Sequence, residues 1–486
     1  MNPSRLRFFF LCGPCCAGLL LAACTPVAPP PQAGPATGGA GRSSLAFLAI
    51  LASPDTPDAS RQAADARLLQ NLPKTDPARL AILEQLLYAP GHSDAMRIYA
   101  IDQLAAADPA RCANALLLYL PRMEGDVLQH ACNTAIALGD PRLLDALTRS
   151  LARAAKPLER PELPALQALS GKPPIDALLN ILATSRNTST QTAALTSLEA
   201  LLPAAQLLPR IAALSADENA FLGSIQWWVG AFGTLPAGDN ECRWVGILHR
   251  PEHAALIERA LSRHKLLAGA ADYVAAPRFI AALAYSDDAA VALSRDQLLA
   301  DLHARIDALP GASRPHNHRP PPYPGSADDL PDTLAANEAK LTRGDLLTLR
   351  LLLDTLPAAL PTLYQQGLDD LADTTTEHGG LLSLADIRSP QLAATLYPPA
   401  FAENDLTYPA SEALLRDTPL GLAQYHFHFQ QIHNEARAGP GPDDLASIRA
   451  ARCNALLITS INTRQINLDF YTSDGALVDL GTCTLK

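Results

Sequence analysis

A proline-marked repeat of 32 residues constrains the fold of this chain more than any other feature. An Asp-Pro pair begins at Asp76, Asp108 and Asp140, and a Lys-Pro pair begins at Lys172, each 32 residues after the previous one. Asp followed by Pro is typical of a helix start, because the carboxylate accepts backbone N–H groups and proline has no N–H to satisfy. Each pair precedes a leucine-rich stretch such as DPARLAILEQLL. The repeat therefore predicts a series of helices.

The second half of each unit also recurs. The stretch SDAMRIYAIDQLA (93–105) lies 32 residues before GDVLQHACNTAIA (125–137), and both carry apolar residues at helical spacing. Two helices per unit can bury a shared apolar face against neighbouring pairs, as in an α-solenoid. The spacing resembles short HEAT-like repeats. We therefore predict an all-α repeat domain over residues 57–310 that binds a protein or peptide partner, followed by a Pro-rich linker over 311–331.

Residues 1–24 have the pattern of a secretion signal. Two arginines precede a short apolar run, FFFLCGPCCAGLLLAAC, which is too short for a spanning helix. The run ends in LAAC, which resembles a bacterial lipobox. That resemblance implies cleavage before Cys24 and a lipid on its thiol. Because Thr25 rather than Asp follows, it also implies anchoring in the outer membrane, facing the periplasm. The Pro/Ala/Gly-rich residues 25–56 are predicted to form a tether.

The charge of the chain argues against one class of partner. The formal net charge is −11, whereas a nucleic-acid-binding protein normally presents a basic face. No basic stripe with interleaved aromatic residues is present. We therefore expect no nucleic-acid partner, and no segment after the signal is predicted to span a membrane.

Five cysteines lie beyond Cys24, an odd number for an oxidising compartment. Cys453 and Cys483 flank the last two apolar runs, and Cys112 and Cys132 fall on paired helices, so either pair is a candidate disulfide. Buried thiols are the alternative, and the sequence does not decide between them.

Residues 332–486 differ in character from the repeats. Leucine-rich helical stretches give way to four runs rich in β-branched and aromatic residues: QYHFHFQ, NALLITSI, QINLDFYT and ALVDLGTC. Such runs predict strands, and SDG between the last two predicts a hairpin turn. A helical stretch, DDLASIRAARC, separates the first two. These elements predict an α+β domain.

The first of these runs carries two histidines in the pattern His-x-His. Side chains alternate along a strand, so His426 and His428 point to one face while the flanking aromatic residues point to the other. Two imidazoles on one face suit two ligands of a single tetrahedral zinc ion. The turn GPGPDDL can bring Asp443 or Asp444 back as a third ligand. In the alternative interpretation the histidines line a solvent face and Asp443 caps the following helix.

A glutamate far upstream completes a known pattern. Glu377 lies in TTTEHGGLL at the start of an apparent strand, 49 residues before His426. A Glu ahead of Gly-Gly, then His-x-His, then a Pro/Gly turn ending in Asp-Leu resembles the JAMM (JAB/MPN) metalloprotease family over roughly residues 346–485. The resemblance implies that His426, His428 and Asp444 are zinc ligands. It also implies that Glu377 holds the catalytic water and acts as general base.

The chain departs from the family pattern in two places. Gly441 stands where the family has a serine that helps to hold the transition-state oxygen. The interval from His428 to Asp444 is several residues longer than usual and is filled by FQQIHNEARA. Two functions are therefore predicted. The first is an envelope lipoprotein whose zinc-dependent peptidase or isopeptidase domain hydrolyses an amide bond; the alternative is a non-catalytic scaffold lipoprotein whose C-terminal domain is a pseudoenzyme.

Overall fold

The computed structural model describes residues 39–309, 331–385, 391–402 and 404–485. The predicted signal, Cys24, the first part of the tether and the linker up to residue 330 lie outside the described residues. The range predicted as a tether contains a helix, Gly39–Ala52. This helix carries the apolar run LAFLAILA, which packs on the next helix along the chain.

The described residues group into two compact units. The first comprises residues 39–150 and 159–172, and the second comprises residues 151–158 and 173–485. The division at residue 173 lies inside the range predicted as one helical repeat domain. The helices after residue 173 therefore belong to the same compact unit as the C-terminal sheet.

The first unit is helical throughout its described part. Its helices are α1 Gly39–Ala52, α2 Asp58–Asn71, α3 Pro77–Tyr88, α4 Asp94–Ala107, α5 Pro109–Tyr119, α6 Gly125–Leu138, α7 Leu143–Leu151 and α8 Glu162–Ser170. Asp76 caps α3 by accepting the backbone N–H groups of Ala78 and Arg79, both at 3.1 Å. Asp108 caps α5 in the same way. Helix α1 packs on α2, α3 packs on α4, and α4 packs on both α5 and α6. This packing confirms the predicted all-α region, while the HEAT-like class stays a prediction.

The second unit combines further helices with the sheet. Its helices are α9 Pro174–Thr184, α10 Thr188–Leu201, α11 Ala204–Ala212, α12 Ala220–Phe232, α13 Gly238–Leu248, α14 Ala254–Leu267, α15 Ile280–Tyr285, α16 Asp288–Ala292, α17 Arg295–Asp307, α18 Leu334–Asn337, α19 Arg343–Ala372, α20 Glu412–Asp417 and α21 Pro442–Ala451. Among described helices, α19 alone is long and apolar enough to cross a membrane, and 67% of its most apolar window is buried within the structure. Core helices of folded domains share this composition.

Six strands form one mixed sheet. They are β1 Gly379–Leu384, β2 Leu392–Tyr397, β3 Ala423–His428, β4 Asn454–Asn462, β5 Gln465–Thr472 and β6 Leu477–Thr484, and their order in the sheet is β2-β1-β3-β4-β5-β6. Only β3 and β4 pair in parallel among these strands. The crossover between them contains α21, as a parallel connection requires. The predicted α+β architecture of the C-terminal region is confirmed.

Helix α19 approaches β3 closely where the strand ends. A Cβ atom at Gly367 would lie 2.6 Å from the ring of Phe429, well inside van der Waals contact. Phe429 directly follows His428, so the absence of a side chain at Gly367 lets the helix support the strand that carries both histidines.

Helix α13 packs directly against the sheet and α21. Trp244 is 1% exposed, and its Nε1 donates to the carbonyl oxygen of Leu415 at 2.7 Å. It belongs to a core cluster with Ile247, Ile448, Ala451, Cys453, Ala455, Leu457, Tyr471 and Leu477. Asn240 also donates to the carbonyl oxygen of Ala451, the last residue of α21, at 3.3 Å. These contacts explain why residues 173–309 fold with the sheet.

We expect Trp244→Ala to destabilise the second unit by about 3–5 kcal/mol, because it leaves a large cavity between α13, α21 and the sheet. Denaturant unfolding of the purified chain measures the loss. Trp227→Ala is the matched control, since Trp227 is only partly buried and stacks on the exposed His249; we expect it to cost about 1 kcal/mol or less. Equal losses in the two variants would contradict this packing.

The five described cysteines are all buried, and none forms a disulfide with another. Burial raises the pKa of Cys112, Cys132 and Cys453 to about 12. Of the two alternatives left open by the sequence, the structure therefore has the buried thiols.

Candidate metal centre

The register of the sheet brings Glu377 to the histidine pair. Strand β1 runs antiparallel to β3, with Gly379 opposite His426. The backbone N–H of Phe427 donates to the carbonyl oxygen of His378 at 3.1 Å, which extends the pairing by one residue. Glu377 therefore lies beside His428 although the two are 51 positions apart in sequence.

Glu377, His426 and His428 form a group that can hold a metal ion. Each offers one ligand atom, and these atoms all lie within 4.8 Å of one another. Glu377 is 2% exposed and each histidine is 8% exposed. Buried ionisable groups at such short range need a compensating partner.

Asp444 joins this group from the first turn of α21. Its Oδ1 lies 3.3 Å from His426 Nε2, and its Oδ2 lies 3.8 Å from His428 Nε2. Oδ2 also accepts the backbone N–H of Gly441 at 2.7 Å, which fixes the carboxylate at the helix start. Asp443, the alternative ligand, is exposed, and it does not cap the helix as the alternative interpretation expected, because the N-cap residue is Gly441. The structure therefore brings Asp444, and not Asp443, to the histidines.

The unsatisfied polar atoms of the site fit a cation. His426 Nε2 is buried, and its 3.3 Å approach to Asp444 Oδ1 is an ion-pair contact without good hydrogen-bond geometry. Two ligands about 2.0–2.2 Å from one ion lie roughly 3.3 Å apart in a tetrahedral site. The separations of 3.3 and 3.8 Å from Asp444 to the two histidines, and of 3.8 Å from Glu377 Oε1 to His428 Nε2, approach this value.

The stretch after β3 orients His428. His428 Nδ1 lies 2.6 Å from the carbonyl oxygen of Arg437, so Nδ1 donates and Nε2 is left with its lone pair toward the site. Such a backbone partner fixes the ring and the tautomer of a metal-binding histidine. The sequence offered no candidate for this role.

Two further residues of the same stretch were missed by sequence reasoning. Gln430 Nε2 donates to Glu377 Oε1 at 2.7 Å, and Asn434 Nδ2 donates to Gln430 Oε1 at 2.7 Å. Both lie in FQQIHNEARA, the extra residues between His428 and Asp444. The signal in the sequence that could have identified them was that this polar segment lengthens the turn between two predicted metal ligands.

The charges of the site favour binding of a cation. Burial raises the pKa of Glu377 to about 7 and lowers that of His428 to about 4. Burial also lowers the pKa of His426, but the Asp444 and Glu377 carboxylates outweigh it and raise that pKa to about 9. Burial opposes ionisation of Asp444 as well, yet His426 holds its pKa well below the usual range. Two carboxyl groups therefore stabilise a single positive charge at His426.

The raised pKa of His426 predicts how metal affinity depends on pH. A metal ion needs the neutral imidazole, so it competes with the His426 proton at every pH below about 9. Lowering the pH from 8 to 6 should therefore weaken zinc binding by about 10-fold per pH unit. Competition against a chelator of known pH dependence measures this slope. A flat profile over that range would contradict the assignment of His426 as a ligand.

Comparison with known proteins adds no support to the geometry of this centre. No family model matches the chain, and no curated protein or solved structure matches it either. The resemblance to the JAMM family therefore stays a prediction.

Proposed function

We propose that the chain is a zinc-dependent peptidase or isopeptidase. The observation that carries the proposal is that the ligand atoms of Glu377, His426 and His428 lie within 4.8 Å of one another at the end of β3, with Asp444 beside both histidines. Two imidazole nitrogens and one carboxylate oxygen are a typical ligand set of catalytic zinc, which keeps a further position open. His426, His428 and Asp444 would hold the ion. Glu377 would lie beside it.

A bound zinc ion would act as a Lewis acid and lower the pKa of the water molecule that it binds to about 7. The residues of the chain perform the proton transfers. Glu377 accepts a proton as the water oxygen attacks the carbonyl carbon of the amide. It returns that proton to the nitrogen as the C–N bond breaks, so that a carboxylic acid and an amine leave. Burial raises the pKa of Glu377 to about 7 in the absence of a metal ion, and the positive charge of a bound ion would favour the ionised carboxylate that accepts a proton.

Gly441 favours the alternative function, a scaffold without catalysis. It is the N-cap residue of α21 and has no side chain with which to contact a substrate. Its φ of −72° is ordinary, and an added Cβ would meet only Asp444 Oδ2, at 3.5 Å. Position 441 therefore has room for the serine of the family pattern. The absence of that serine is the main sequence feature against hydrolysis.

Hydrolysis of peptides tests the proposal. The purified chain, loaded with zinc, is incubated with a mixture of unmodified peptides and with a Lys-linked isopeptide, and new amines are counted by mass spectrometry. We expect cleavage that a chelator abolishes and that added zinc restores. Retained zinc without cleavage of any substrate would support the scaffold instead.

We propose that a lipid on Cys24 anchors the chain to the outer membrane and that the helical repeats bind a protein or peptide partner. Replacing Cys24 with Ala should move the protein from the membrane fraction to the soluble periplasmic fraction, because one lipid-bearing residue is the whole anchor. Unchanged fractionation would contradict this anchor.

A further inference from the structure

We propose that Gln430 is a catalytic residue that donates a hydrogen bond to the carbonyl oxygen of the substrate as that oxygen becomes negatively charged. The inference rests on the proposed function, because it assigns one step of the same hydrolysis. Hydrogen-bond donors aimed at such an oxygen are commonly the largest electrostatic contribution to acyl transfer, and a side-chain amide is one of the groups that serve.

The turn before α21 offers no side-chain donor for this step. Gly441 has no side chain, and its backbone N–H is already donated to Asp444 Oδ2. Pro440 and Pro442, on either side, have no N–H. A donor must therefore come from another segment that borders the site.

Gln430 borders the site from the end of β3. Its Nε2 lies 2.7 Å from Glu377 Oε1, the oxygen atom that lies 3.8 Å from His428 Nε2. An amide nitrogen carries two hydrogens. One goes to Glu377, and no second acceptor for Nε2 is found among the described residues. Gln430 is also partly exposed, unlike Glu377, so a substrate can reach it.

The orientation of the Gln430 amide is fixed by neighbouring groups. Asn434 Nδ2 donates to the carbonyl oxygen of His428 at 3.0 Å, and a carbonyl oxygen can only accept. The same Nδ2 donates to Gln430 Oε1 at 2.7 Å. Gln430 must therefore turn its nitrogen toward Glu377. Asn434 is 2% exposed and its backbone N–H is held by the Ser460 carbonyl oxygen, so Asn434 is the positioning residue for this donor.

The extra residues between His428 and Asp444 thereby acquire a role. They carry both Gln430 and Asn434, and they end at Arg437, whose carbonyl oxygen orients His428. A longer turn that holds an amide donor beside the general base compensates for a glycine at position 441.

The test uses the zinc-loaded full chain and a phosphinic pseudo-dipeptide of two alanines, whose tetrahedral phosphorus oxygens resemble the developing oxyanion. Binding is measured by calorimetry for the wild type, Gln430→Met, Asn434→Leu and the control Gln431→Met. Gln431 is the adjacent, exposed glutamine. Its Nε2 donates to Asn434 Oδ1 at 3.4 Å and not to Glu377. Zinc content is measured for each variant, so that loss of the metal is recognised.

We expect Gln430→Met to weaken probe binding about 10–100-fold with zinc content unchanged, while Gln431→Met binds like the wild type. Asn434→Leu should show a smaller loss in the same direction. The loss at Gln430 should persist in a Glu377→Ala background, because a donor acts on the oxyanion itself, whereas a residue that only positions the side chain of Glu377 would have no further effect once that side chain is removed.

Equal probe affinity for wild type and Gln430→Met overturns the assignment, as does the absence of probe binding to the zinc-loaded wild type. Probe binding that depends on Gln430, in a protein that cleaves no peptide, keeps the assignment and overturns the peptidase proposal. On a substrate that is cleaved, Gln430→Met should lower kcat about 100–1,000-fold with little change in KM.

Discussion

Glu377→Gln should lower kcat for amide hydrolysis by about 100–10,000-fold, while zinc stays bound. The amide has nearly the same shape as the carboxylate but cannot accept the proton of the attacking water. It can still accept the hydrogen bond that Gln430 now donates to Glu377 Oε1. Because Glu377 is 2% exposed, removing its charge also relieves a desolvation cost, so we expect the fold to be at least as stable.

Steady-state kinetics and zinc analysis of the same preparation test this expectation. Full activity in Glu377→Gln would exclude Glu377 as the general base. Loss of zinc together with activity would instead make Glu377 a ligand, an arrangement that its position within 4.8 Å of both histidines also allows. The two outcomes separate proton transfer from metal binding at one residue.

His428→Ala should weaken zinc binding by more than the roughly 10–100-fold that the loss of an outer partner costs, because it removes a direct ligand. Its Nε2 lies 3.8 Å from both Glu377 Oε1 and Asp444 Oδ2, so no other side chain occupies its place in the group. We expect all zinc-dependent activity to disappear with the metal.

His433→Ala is the matched control for this variant. His433 lies in the same stretch after β3, is exposed, and directs Nδ1 to the carbonyl oxygen of Ile461 at 3.2 Å. Chelator competition should give the wild-type zinc affinity for His433→Ala. Equal affinities for wild type and His428→Ala would contradict the metal centre.

Local signals predicted much of the fold. The Asp-Pro pairs at Asp76 and Asp108 predicted the starts of α3 and α5, because capping depends on residues adjacent in sequence. The runs rich in β-branched and aromatic residues predicted β3 to β6 to within a few residues. That residues 173–309 belong with the sheet depends instead on contacts between residues far apart in sequence, such as those of Trp244. No local pattern records such contacts.

The candidate site divides in the same way. Strand alternation was sufficient to pair His426 with His428 on one face. Strand alternation did not decide whether Asp443 or Asp444 is the third ligand. Successive residues of a helix point about 100° apart, so the choice depends on where the helix begins. The helix begins at Pro442, which turns Asp444 toward the histidines. Gln430 was missed because its role depends on the register that sets Glu377 beside it.

Zinc content of the purified wild-type chain tests the central claim most directly. The protein is purified without a chelator, incubated with one equivalent of zinc, passed through a desalting column and analysed by atomic emission, alongside Asp444→Ala and the control Asp443→Ala. We predict about one zinc per chain in the wild type and in Asp443→Ala, and a large loss in Asp444→Ala. A wild type that retains no zinc would contradict the metal centre and the hydrolysis that depends on it.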